Sequence, residues 1–138
     1  MADVTADLID ALKLDHAVDV LVDGRIYGGV VPIGVELPFI WLQRRGVKYT
    51  ESMEGEDDPW KEFFDVECVA NNGITVNELS DAVRAWERAW TTGGTFQLGD
   101  RYYSAVTITD AAETYVPRNV DAAEHLFISS LDVEVCRP

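Results

Sequence analysis

Residues 60–70, WKEFFDVECVA, run straight into residues 71–90, NNGITVNELSDAVRAWERAW, and this junction decides the fold. The first part alternates. Phe64, Val66, Cys68 and Ala70 point one way, while Asp65 and Glu67 point the other, the period of two expected of a strand with one buried face. Asn71-Asn72-Gly73 turns the chain. The period then changes: Leu79, Ala82, Val83, Trp86, Ala89 and Trp90 fall on one helical stripe, with Glu78, Asp81, Arg84 and Arg88 elsewhere. Thr75 and Glu78 have capping-box spacing, and Gly93-Gly94 ends the helix.

Working outward from this strand–helix unit, the flanks supply more of the same. Residues 3–14 carry Val4, Leu8, Ala11 and Leu12 at helical spacing after a capping Asp3. Asp15 caps a second, short helix through Val18, Leu21 and Val22, which Gly24 stops. Arg25-Ile26-Tyr27 is extended; Gly28, Gly29, Pro32 and Gly34 then impose a loop. Residues 37–44, LPFIWLQR, read as a strand, with Pro38 favouring an edge position or a strand beginning. Residues 46–59 read as a long acidic loop. After the central helix, residues 102–109 alternate as a strand, residues 110–123 read as a second polar loop, and residues 125–136 form a closing strand. There Phe127, Leu131, Val133 and Val135 face inward, and Asp132, Glu134 and Cys136 outward. Strands joined by loops rather than crossover helices predict an α+β domain: a mostly antiparallel sheet with helices on one face. No linker or internal repeat divides residues 1–138, which read as one domain of ordinary size.

Composition narrows the function. Twenty-five acids against eleven bases give a net charge of −14, and only Lys13, Lys48 and Lys61 are lysines. Such a surface repels a DNA backbone. It suits either a salty medium, where the Debye length falls to about 3 Å at 1 M, or a channel wall that DNA passes without sticking. The opening residues, MADVTADLIDAL, lack the basic-then-apolar pattern of a secretion signal, and no apolar run is long enough for a membrane helix. A soluble protein made inside a cell is expected.

Chemistry-bearing motifs are missing. Cys68 and Cys136 match no metal or redox spacing and fall on opposite faces of their strands. His16 and His125 are isolated, so no metal ligand set forms. No nucleophile elbow, P-loop or dinucleotide fingerprint occurs. Asp65 and Glu67 read as a hydrated strand face. No catalytic residue, cofactor site or metal site is assigned.

Large apolar groups on both faces of the central strands are more informative. Phe63 lies opposite Phe64, and Trp41 opposite Ile40, which marks either a second covering layer or an interface. Candidate partner or subunit contacts are therefore Trp41, Tyr49, Trp60 and Phe63. Glu51, Glu54, Glu56, Asp57 and Asp58 of the acidic loop join them, because long loops often carry contacts.

Residues 24–40, GRIYGGVVPIGVELPFI, resemble the start of phage tail-completion proteins of the tail-terminator type. In that family a GRIY-like turn precedes a Pro-x-Gly loop and a Leu-Pro-aromatic-Ile strand. An amphipathic helix like 74–90 and a closing strand like 126–136 follow in the same order. The resemblance implies a virion protein, assembled in the host cytoplasm, that forms a homo-oligomeric ring (a hexamer) at the head-proximal end of the tail. Its partners would be itself, the tail tube protein and the head–tail connector protein, with DNA passing through unbound and no membrane or cofactor involved. Two other readings stay open: another neck component, such as a head-completion or adaptor protein, and a small ligand-binding α+β domain.

Overall fold

The computed structural model describes residues 4–48, 61–91, 96–98, 101–103, 105–116 and 126–136. Helix α1 (Val4–Leu14) buries Val4, Leu8, Ala11 and Leu12, the stripe expected from their spacing. Helix α2 (His16–Val22) starts at Asp15, whose carboxylate accepts the Val18 N–H at 3.1 Å. It ends where Asp23 turns left-handed at φ 49°, with Gly24 following at φ 75°.

Five strands build the main sheet: β1 (Ile26–Gly28), β2 (Phe39–Lys48), β3 (Lys61–Ala70), β6 (Ala105–Val116) and β7 (Leu126–Cys136). Between them in sequence lie α3 (Gly73–Thr91), β4 (Phe96–Leu98) and β5 (Arg101–Tyr103), the last two pairing as a separate antiparallel hairpin. The sheet order is β1-β2-β3-β7-β6; β1 runs parallel to β2, and every other pairing is antiparallel. This is the α+β architecture expected.

Register explains the core. Ile40 stands beside Cys68, Leu42 beside Val66, Val66 beside Leu131 and Phe64 beside Val133. Those side chains share one face, and all are buried. Against them pack Leu8 and Leu12 of α1, Val18 and Val22 of α2, and Val76, Leu79, Val83 and Trp86 of α3, forming a single cluster. All three helices thus cover the same face. A Cβ on Gly28 would meet Ile9 and Thr5 of α1 at 3.0 Å, so the first helix sits directly on β1. The Ser129 hydroxyl donates to Ser80 at 3.2 Å, satisfying both where β7 meets α3.

Several expectations need correcting. The acidic loop is shorter than residues 46–59: β2 continues to Lys48 past an irregularity between Arg44 and Gly46, which lets the strand keep pairing with β3 despite the glycine. Residues 110–123 are not all loop, because β6 runs to Val116 alongside β7, with a similar shift between Ile108 and Asp110. Pairing with β7 satisfies the strand's backbone whatever its side chains, so polar residues are tolerated there. Thr75 is not the cap of α3; Asn72 is, its side-chain oxygen accepting the Thr75 N–H at 2.8 Å. The turn brings Asn72 into cap geometry three residues earlier than the Thr75–Glu78 spacing suggests. Ala89 is exposed and does not join the buried stripe of Val76, Leu79, Val83 and Trp86. Pro38 marks a strand beginning and not a sheet edge, as β1 lies outside β2.

Candidate interaction face

The opposite sheet face has no helix on it among the described residues, and it divides into an apolar half and an acidic half. Alternation puts Tyr27, Phe39, Trp41, Val69, Leu126 and Ile128 at one end. Tyr27 and Phe39 meet edge to face, with ring centroids 6.2 Å apart. The loop of residues 29–37 arches beside them. Its conformation depends on Gly29 and Gly34, at φ 78° and 79°, a region that side chains strain to adopt. Three hydrogen bonds pin its ends: Gly29 N–H to the Leu42 carbonyl at 3.0 Å, Trp41 Nε1–H to the Gly29 carbonyl at 2.7 Å, and Arg25 Nε–H to the Pro38 carbonyl at 3.0 Å.

Between loop and sheet lies a cavity of about 820 Å³, floored by Phe39, Trp41, Val69 and Ile128 and bounded by Glu67. The loop turns Val30 and Ile33 outward; they are 85% and 106% exposed, although both are large and apolar. Such exposure on a hydrogen-bonded loop beside an apolar cavity makes this a candidate interaction surface.

The acidic half begins at Glu67 and continues along the same face of β3 to Asp65, which stands directly opposite Asp132 on β7. Arg45 reaches both carboxylates, Nη1 lying 3.6 Å from each. Burial pushes the Asp65 carboxyl above its ordinary range; Arg45 opposes this, while the charge of Asp132 and a hydrogen bond with it add to the rise. Burial also raises Glu67, helped by the charge of Asp65 and opposed by Arg45. These two acids are therefore less hydrated than simple alternation implies, because flanking strands take water from them.

No set of three or more potential metal ligands gathers among the described residues. Cys68 lies fully buried and its thiol is pushed up to about 12, so it is inert as a nucleophile. No described helix is long and apolar enough to cross a membrane.

Of the candidate contacts, Trp41 and Phe63 both lie on this open face, Trp41 in the cavity wall and Phe63 in a hollow beside Arg45 and Asp132. Tyr49, Glu51, Glu54, Glu56, Asp57, Asp58 and Trp60 lie outside the described residues. Sequence reasoning passed over Val30, Ile33, Val69, Ile128, Arg45 and Asp132. One signal was available: Cys68-Val69-Ala70 and Leu126-Phe127-Ile128 are unbroken apolar runs, which need partners on both faces.

The α+β sheet thus has one face packed by helices and one face open, and no reaction centre assembles among the described residues. The chain belongs to the tail completion protein gp17 family, whose model matches residues 6–97. By family it is a tail completion protein. Among solved structures, a chain from the virion of a native gene transfer agent particle shares the fold, with a TM-score of 0.68 and 16% identity over 96% of this chain and 92% of that one. No curated protein matches the chain.

Proposed function

We propose that this protein is the tail terminator: a ring of identical subunits, six in number, that caps the head-proximal end of the tail tube, stops its polymerisation and meets the head connector. The observation that carries this reading is the open sheet face, apolar at one end and built without catalytic groups among the described residues, in a chain of the tail-completion family. Sheet, cavity and loop offer contact area rather than chemistry, which suits a joint between protein components. DNA crossing the ring would meet a strongly acidic protein and pass without specific binding.

Six copies at −14 each repel one another at low ionic strength. Screening shortens the reach of that repulsion to about 3 Å at 1 M salt, so the ring population should rise with salt. Light scattering on the purified protein in low and in molar salt tests this. A species of about six subunit masses that salt favours supports the terminator. A strict monomer in both media shifts the reading to another neck component, an adaptor or head-completion protein, which shares the location without closing a ring.

A further inference from the structure

We infer that the open sheet face docks a partner protein presenting an apolar anchor flanked by lysine or arginine, and that this occupant is not a second copy of the chain. The inference rests on the assembly reading above and specifies the chemistry of one partner. Two features adjoin on the face. The first is the apolar cavity over Phe39, Trp41, Val69 and Ile128, with Val30 and Ile33 exposed on the loop beside it. An inserted apolar side chain finds a preformed site there, because hydrogen bonds already hold the loop.

The second feature is charge. Glu67 belongs to the cavity wall; Asp65, Asp132 and Glu134 continue from it across β3 and β7. Against these four carboxylates the described part of the face sets Arg45 in their midst and, at its far end, Lys61 and Lys48, which stand opposite each other in register. Like charges directly opposite on neighbouring strands are unfavourable, and Asp65 and Asp132 have one guanidinium between them. An incoming cation completes the pairing that Arg45 begins.

Charge also selects among occupants. A second copy brings a net −14 to an acidic strip. Its helical cations Lys13, Arg84 and Arg88 are interspersed with Asp10, Asp81 and Glu87, so they form no basic patch to match. The chain's own segment 51–58 is acidic, the wrong sign, and so is a DNA backbone.

The test uses the full chain and a short fluorescein-labelled peptide of alternating isoleucine and lysine, compared with the same peptide carrying glutamate for lysine, by anisotropy at low salt. The lysine peptide should bind and the glutamate peptide should not, with binding weakening as salt rises, opposite to the salt response expected of the ring. Asp65→Asn with Asp132→Asn should weaken binding about tenfold, and Ile33→Glu, at a fully exposed position where folding is undisturbed, by a similar factor. Asp10→Asn with Asp81→Asn removes equal charge from exposed helix positions and should change affinity less than about twofold.

Equal loss in that control would mean bulk attraction and overturn the inference. So would indifference to Ile33→Glu. A fall in oligomer mass on Ile33→Glu without peptide would assign the face to a second copy instead. A strict monomer that binds the lysine peptide through this face removes the ring and keeps the inference; a ring without face-dependent binding does the reverse.

Discussion

Asp65 and Asp132 stand directly opposite each other on β3 and β7, and a single guanidinium, that of Arg45, lies 3.6 Å from each. Burial, and after it the charge of Asp132, hold the Asp65 carboxyl above its ordinary value of 3.8 against the opposing pull of Arg45. A raised folded-state value means the native protein binds protons more readily than the unfolded chain. The stabilising contribution is therefore complete below pH 3.8 and is lost as pH rises through the raised value. Asp65→Asn should make the urea midpoint less dependent on pH across the acidic range and should not destabilise the protein at pH 7. A midpoint that falls at pH 7 as steeply as on losing a core residue would mean the Arg45 pairing outweighs the repulsion.

Phe64 and Phe63 are neighbours on opposite faces, which permits a controlled comparison. Phe64 is 1% exposed within the core, so Phe64→Ala should cost about 3–5 kcal/mol in chemical denaturation. Phe63 is half-buried on the open face, and Phe63→Ala should cost below about 1.5 kcal/mol. Similar losses at the two sites would mean the open face is packed as a core.

Trp41 anchors the loop through one bond to the Gly29 carbonyl, 2.7 Å long. Trp41→Phe keeps a ring in the cavity wall and removes the donor. Global stability should drop by about 1 kcal/mol or less, while amide exchange in residues 29–37 should accelerate more than exchange in α3. Unchanged exchange in the loop would show that the Gly29 backbone bond and the Arg25 side-chain bond to Pro38 hold it unaided.

Asn72 and Thr75 separate the observed helix cap from the expected one. Asn72→Ala should cost about 1 kcal/mol, since it strips the acceptor from the Thr75 N–H. Thr75→Ala should stay within about 0.5 kcal/mol. Thermal melts of the two variants rank them directly.

The two thiols should differ in reactivity. Cys68 is buried and raised to about 12, whereas Cys136 is half-buried and raised less strongly, by burial that Lys61 opposes. A thiol reagent at pH 8 should label Cys136 in the folded protein and reach Cys68 only on unfolding. Rapid labelling at both positions would mean that α3 opens readily from the sheet.

Much of this was legible along the chain because it depends on neighbours in sequence. Alternation in residues 61–70 and 126–136 identified which side chains enter the core, and the structure buries Phe64, Val66, Cys68, Leu131, Val133 and Val135. Asp15 and Gly24 bounded α2, since capping and left-handed turns are satisfied within a few residues. Opposite-face aromatics at Trp41 and Phe63 located the candidate surface. The length of β6 was missed because Asp110, Ala112 and Glu113 look like a loop until β7 provides their backbone partners. The hairpin of β4 and β5 was missed because three-residue strands leave no periodicity to read.

By itself, then, the sequence determined the three helices, the alternating strands of residues 61–70 and 126–136 with their buried sides, and the strongly acidic net charge. Tertiary structure alone decided that all three helices share one face, that the loop of residues 29–37 walls a cavity, and that Asp65 meets Asp132 under Arg45. The physical reason is range. Periodicity is local and says which way a side chain points, whereas sheet order and register join residues tens of positions apart, and only they decide what, if anything, stands opposite.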